Sequence, residues 1–261
     1  MHLLSRKLQC LSVSDMTERP RIYELMEECF SKGSILLVYG ADSIGKTAAV
    51  SQFLKNYVRK NFGYYSVDAC DSREGRFEEY MTAMLKNAGI HAELEKEADV
   101  FAVIQTAFYE MEKSSRQYYL AFDQIDRIKD ERIWEIMRFL VSYVPQNCRI
   151  FLVCGIRIPE EITRQIIKKR IGVFPVSELA FHDKEIRWYF ECHDIHIGME
   201  QIAEVRRVTG GWCGALYTIV LSLHVHRVQG DTFQSWENPL LDGYVQKNFW
   251  DICTESEKEI I

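Results

Sequence analysis

The chain has 261 residues, 47% of them hydrophobic and 27% charged, which is enough apolar content to bury a full core and too much for a disordered tail. Its 32 basic and 38 acidic residues leave a net charge of -6, which argues against this stretch gripping nucleic acid by its phosphates. The eight cysteines include no Cys-x-x-Cys pair, and no apolar run approaches the roughly 18 residues of a membrane span, so reduced thiols and a cytoplasmic setting are expected.

From Met1 to Cys10 a short apolar stretch is broken by Arg6 and Lys7. Ile35 to Tyr39 is the first expected strand. Behind it Gly40-Ala41-Asp42-Ser43-Ile44-Gly45-Lys46-Thr47 fits G-x-x-x-x-G-K-[ST]. Val50, Phe53, Leu54, Tyr57 and Val58 then recur at helical spacing, as the core face of the next helix should. Glycines suit such a loop because its backbone N–H groups turn inward around phosphate oxygens, an approach a side chain would obstruct. Lys46 would bring a point charge to the β- and γ-phosphates, Thr47 a hydroxyl to Mg²⁺, and the helix N-terminus its partial positive charge. By chance the motif turns up in about one chain in a hundred of this length. A strand before it and a helix after it remove most such coincidences.

Tyr64 to Asp68 reads as the second strand and Tyr118 to Asp123 as a third ending on a carboxylate. A P-loop needs an acid at the tip of a neighbouring strand to hold its metal, and Asp123 takes that part. Many hydrolysing relatives place a second acid next, whereas this chain has Gln124. An amide orients water but takes no proton, so turnover should be slow. Asp126 reads first as a solvated loop acid and second as a base that swings in. Ile133, Ile136, Met137 and Leu140 mark a helix before the fourth strand, Arg149 to Cys154, and Gly172 to Val176 is the weakest of the five. This alternation predicts an α/β fold, a three-layer αβα parallel sheet.

Beyond about residue 180 the pattern is wholly helical: Ile186, Tyr189 and Phe190, then Ile202 and Val205, then Leu216, Ile219, Val220 and Leu223. A small all-α domain is expected there. Cys192-His193-Asp194-Ile195-His196 offers metal-ligand types, but no second Cys/His pair lies at finger spacing, so it reads as a polar interhelical loop. His224 and His226 fall about 200° apart on a helix and share no face. Lys168-Lys169-Arg170 reads as a solvated basic run.

With these residues in place the chain resembles the nucleotide-binding, NB-ARC-like module of the maltose-regulon-activator type of large LuxR-family regulators, within the STAND class of signal-transduction ATPases. The resemblance rests on further segments in the family's order. Arg19-Pro20-Arg21-Ile22 with Leu25 is similar to its R-x-R-L entry. Tyr65-Ser66-Val67-Asp68 with Arg76-Phe77 and Tyr80 is similar to its second strand and helix. Arg138-Phe139-Leu140 with Pro145, Leu179-Ala180-Phe181 with Glu185, and Gly211-Trp212-Cys213-Gly214-Ala215-Leu216 follow. Leu241-Asp242 with Tyr244-Val245 resembles the connector before a winged helix.

The resemblance implies an organisation of 1–33 as entry segment and helix, 34–178 as P-loop domain, 179–241 as helical domain, and 242–261 as connector and winged-helix start. Glu255 to Ile261 reads as a helix cut short, so more chain is expected after it. The nucleotide set becomes Arg19, Gly40, Ala41, Ser43, Ile44, Gly45, Lys46, Thr47, Ala48, Arg157, Trp212 and Cys213. Thr47 and Asp123 would hold the metal, and Asp123, Gln124 and Asp126 are the candidate catalytic groups. Two departures stand out: Gln124, and Gly155-Ile156-Arg157, whose arginine comes one residue later than is usual. Arg157 is either a γ-phosphate contact or a surface arginine. The family implies ATP or ADP with Mg²⁺ as the signal, weak or partner-dependent hydrolysis, and nucleotide-dependent self-association. Inducer and DNA would be bound only by C-terminal domains outside this sequence. The alternative class is a catalytically active STAND/AAA-type ATPase driving remodelling or assembly.

Overall fold

The computed structural model describes residues 3–13, 16–73, 75–90, 99–229 and 243, without the side chains of 224–229. The side chains of His224 and His226, Cys253, the Leu241-Asp242 and Tyr244-Val245 segment and, Gly243 apart, the 242–261 connector lie outside that description. Contacts divide the chain into two compact units. One comprises Met1–Ser14, Glu18–Ala41 and Lys46–Val176; the other comprises Asp15–Thr17, Asp42–Gly45 and Ser177–Ile261.

The first unit is built on a five-stranded sheet of β1 (Ile35–Tyr39), β2 (Phe62–Ser66), β3 (Tyr118–Asp123), β4 (Cys148–Cys154) and β5 (Gly172–Val173), in the order β2-β3-β4-β1-β5. Every pair is parallel. The strands are short and apolar because both faces are covered. On one face Ile35, Leu37, Leu120, Phe122, Leu152 and Tyr65 join a core with residues of α3 (Arg76–Asn87), α4 (Val100–Lys113) and α5 (Glu131–Tyr143). On the other, Phe30 of α1 (Pro20–Ser31) meets Phe151 edge-on with ring centroids 4.8 Å apart. Phe53 likewise packs on Tyr119 and Phe151. Truncating a buried phenylalanine such as Phe53 typically costs about 3–5 kcal/mol. The three-layer α/β arrangement expected from the alternation is the one observed.

Several sequence expectations need correction. The strand holding the acid is not next to β1, because β4 lies between β1 and β3. The second strand begins and ends two residues early, at Phe62–Ser66. Gly63 looks like a strand breaker, yet it is required: a Cβ there would lie 2.5 Å from the Met84 carbonyl oxygen of α3. Asp68 then turns the chain by accepting from the Cys70 N–H at 2.7 Å. The helix after the P-loop, α2 (Lys46–Gln52), passes into a π-helical turn, Phe53–Val58, in which the Arg59 N–H reaches the Leu54 carbonyl. Phe53 and Leu54 remain fully buried, whereas Tyr57, read as part of the core face, is 50% exposed and stacks on Phe53.

The second unit contains α7 (Asp183–Glu191), α8 (Met199–Thr209) and α9 (Cys213–Gln229), packed around Ile186, Phe190, Ile202, Val205, Leu216 and Ile219. The described cysteines are free thiols: Cys10, Cys148 and Cys154 buried, Cys29 and Cys213 half-buried, Cys70 and Cys192 exposed. Among the described residues no helix is long and apolar enough to cross a membrane.

Candidate functional site

The carboxyl ends of parallel strands are where a doubly wound sheet gathers its loops, and the motif residues converge at that end of β1 and β3. The loop after β1 turns at Gly40, with φ of 151°, and at Gly45, with φ of 97°. Both angles favour glycine. Ser43 at the crest adopts φ of 59°. Lys46, buried, donates to the carbonyls of Gly40 at 2.8 Å and Ala41 at 2.7 Å. Thr47 and Ala48 follow in the first turn of α2, both half-buried.

Asp123 ends β3 and is 1% exposed. Its Oδ2 accepts from the Thr47 hydroxyl at 2.9 Å and from the Tyr64 hydroxyl at 2.7 Å, while its Oδ1 accepts from the Gln124 N–H at 2.8 Å. Burial pushes its carboxyl above the ordinary carboxylate range, against these three donors and the charge of Lys46, which is the weakest of the influences that lower it. Burial likewise pushes the Tyr64 phenol up, and the neighbouring Asp123 charge adds to it.

Gln124 has left-handed backbone, φ of 60° and ψ of 38°, which lets the chain leave β3 sharply. Its side-chain amide donates to the Ser66 hydroxyl at 3.0 Å. Asp126 is tied down as well, its Oδ1 accepting from the Gly155 N–H at 3.2 Å. This bond joins the loop after β3 to the loop after β4. A Cβ on residue 155 would come within 3.3 Å of the Asp126 carboxylate, so glycine suits that position. The Cys154 thiol is pushed up to about 12, chiefly by burial and then by the Asp126 charge. Arg157 is exposed on the segment leading to α6 (Glu160–Ile167).

Arg19 is buried and stands at the N-cap position of α1. In the second unit the Gly214 N–H donates to the Ser43 carbonyl at 2.9 Å, so the first turn of α9 rests on the loop crest. A Cβ on Gly45 would lie 3.8 Å from the Cys213 Cβ, and Trp212 precedes Cys213, half-buried. The structure therefore brings together Lys46, Thr47 and Asp123, and separately Ser43, Gly45, Cys213 and Gly214. Sequence reasoning gave no role to Tyr64 or Ser66. Their connection to Asp123 and Gln124 follows from the β2–β3 register, Ser66 opposite Asp123, and register is invisible in a linear motif.

No family model matches the chain. The HTH-type transcriptional regulator MalT of Vibrio cholerae is 24% identical over 256 residues, covering 93% of this chain and 27% of that protein. MalT of Yersinia enterocolitica is 26% identical over 188 residues, 68% of this chain and 20% of that protein. The chain thus spans 27% and 20% of the length of these two relatives. Among solved structures, a Walker-type ATPase of Pyrococcus abyssi aligns with a TM-score of 0.56 at 12% identity, covering 83% of this chain and 69% of that one. The Aeropyrum pernix ORC2 protein aligns at 0.51 and 13%, covering 93% and 70%. These two likenesses show the fold, an α/β P-loop fold.

Proposed function

We propose that this chain, an NB-ARC-like P-loop module similar in sequence to the MalT regulators, is an ATP/ADP-operated switch within a cytoplasmic transcriptional regulator, with slow hydrolysis at most. The observation that carries the reading is the Thr47 to Asp123 hydrogen bond, which joins the phosphate loop to the strand-end acid across an intervening strand. On binding, Lys46 would exchange the carbonyls of Gly40 and Ala41 for phosphate oxygens, and the N–H groups of the loop would turn onto the same phosphates. Arg19, Trp212 and Cys213 are proposed as base or ribose contacts, Arg157 as the sensor of a third phosphate.

The donor set fits Mg²⁺: a hydroxyl and a desolvated carboxylate held by neutral groups are hard oxygen ligands of the kind that ion takes. When bound, Mg²⁺ would neutralise phosphate charge. Thr47 and Asp123 would hold it. Gln124 orients through its amide and takes no proton, and Asp126 is engaged by the Gly155 N–H, which supports binding rather than turnover as the working event. Self-association in the triphosphate form, and inducer and DNA binding through segments beyond this sequence, complete the proposal.

Calorimetry with ADP and ATP on the wild type and Lys46→Ala tests it. Wild-type binding that K46A abolishes with the fold intact supports the reading, and no wild-type binding overturns it. Sedimentation with a non-hydrolysable ATP analogue against ADP tests the switch, which fails if both give the same mass.

A further inference from the structure

We infer that Tyr64 is a positioning residue of the metal site, holding the Asp123 carboxylate in the orientation that receives Mg²⁺; the inference rests on the proposed nucleotide function. Tyr64 lies on β2, paired with Ala121 two residues before Asp123, so its side chain leaves the sheet on the same face as the acid. It is buried, and its hydroxyl donates to Asp123 Oδ2 at 2.7 Å. Three donors fix that carboxylate, and they differ in what they can do once a metal is present. The Gln124 N–H holds Oδ1 and is backbone. The Thr47 hydroxyl, also on Oδ2, is itself the proposed metal ligand, so its hydrogen bond to the acid is shared with that duty. Tyr64 is the side-chain donor with no second task.

A carboxylate turns about a soft terminal torsion, and sheet-anchored donors restrict it. Tyr64 is the middle residue of β2, an edge strand bonded along its length to β3, so its phenol is anchored in the sheet. Partners of this kind behind a metal ligand typically carry about ten- to a hundredfold in metal affinity. The competing account is that Tyr64 merely satisfies a buried acid, as any buried polar group must be satisfied. That account predicts a loss of stability with no change in how much Mg²⁺ helps nucleotide.

The readout is the ratio of the ADP dissociation constants without and with Mg²⁺, measured by calorimetry on the full chain. Tyr64→Phe should lower this ratio by about tenfold or more. Metal-free ADP affinity should stay within about twofold of wild type, because the lysine and loop are untouched. Tyr119→Phe is the control: it removes another buried hydroxyl from the same sheet face, one that donates to Glu27, and should leave the ratio unchanged. A Y64F ratio equal to wild type, or a Y119F ratio that falls as far, overturns the inference. Wild-type protein that binds ADP without gaining from Mg²⁺ also overturns it. Wild-type protein that binds no ADP at all overturns the nucleotide proposal instead, so the two failures are distinct. Should Y64F not fold, Tyr64→Met fills the site without a donor and puts the same question.

Discussion

Two acids are buried near the carboxyl end of β2, and the fold treats them differently. Asp71, 2% exposed, accepts from the Lys7 ammonium and from the Asp68 N–H at 2.8 Å. Lys7 also bonds Asp68 at 3.0 Å and lies over the Tyr80 ring, 4.6 Å from its centroid. Asp123, 1% exposed, is bonded instead by two hydroxyls and one amide. An acid with a cation inside its own fold is a staple, because removing either partner strands a charge. An acid wrapped in neutral donors keeps its charge unneutralised, at a cost in desolvation, and under the proposed function that charge is met by Mg²⁺. The difference separates a structural carboxylate from a working one.

The largest effects should fall on opposite sides of this divide. Lys7→Met should destabilise the nucleotide-free protein by about 3–5 kcal/mol in urea unfolding, since it leaves Asp71 buried without its cation. Asp123→Asn should change that stability by no more than about 1 kcal/mol while removing the Mg²⁺ contribution to ADP binding in calorimetry. Equal destabilisation by both would erase the distinction.

A middle-sized effect concerns turnover. Gln124→Glu should speed single-turnover ATP hydrolysis by at least about tenfold, short of the roughly 10²- to 10⁴-fold of full general-base assistance because the geometry is only partly restored. Asp126→Asn, by weakening the link to Gly155, should alter hydrolysis less. Loss of all hydrolysis in D126N, with none gained in Q124E, would make Asp126 the base and Gln124 a strand-end residue only.

The smallest effect is in pH dependence, and its sign differs between the two corners. Burial tends to raise Asp68, but hydrogen bonds from Lys7 and the Cys70 N–H, with the Lys7 charge, outweigh it and leave its carboxyl below the ordinary range. Its stabilisation is therefore present at neutral pH and lost as pH falls through that lowered value. Asp123 is raised, so its contribution is greatest below the ordinary carboxylate range and declines as pH rises through the folded value. On acidification in metal-free buffer, the unfolding free energy of the wild type relative to Asp68→Asn should shrink, and relative to D123N should grow. Slopes of the same sign would contradict the contrast.

What was legible in the sequence was local. β1 and β3 are continuous apolar runs ended by a glycine loop and an acid, and their observed bounds are those read from the residues. The helical repeats after residue 180 likewise supply the core of α7, α8 and α9. What needed the structure was everything set by pairing between distant segments. Gly63 could not be read as strand because its reason is the approach of Met84. Lys7 registered as a break in an apolar stretch, whereas its partners lie more than sixty residues away. Tyr64 and Gln124 acquired partners only once β2 and β3 were in register. Tyr57 kept its helical spacing in the sequence but lost its place in the core to the π turn.

The distribution of thiols has a practical corollary. Burial raises Cys10 to about 11 and Cys154 to about 12, and pushes Cys148 up as well, so these stay protonated and shielded from electrophiles at neutral pH. Cys70 and Cys192 are exposed, and one belongs to each compact unit. A maleimide applied briefly to the folded protein should therefore favour these two among the described cysteines. With half-buried Cys29 and Cys213, and Cys253, replaced by serine, and with nucleotide binding first checked by calorimetry because Cys213 is a proposed contact, the remaining pair would accept a donor and acceptor dye with no residue added. Energy transfer between them would then serve as a ruler on the chain, read in ADP and in ATP at single-molecule dilution, where assembly is absent and only motion within one copy changes the signal.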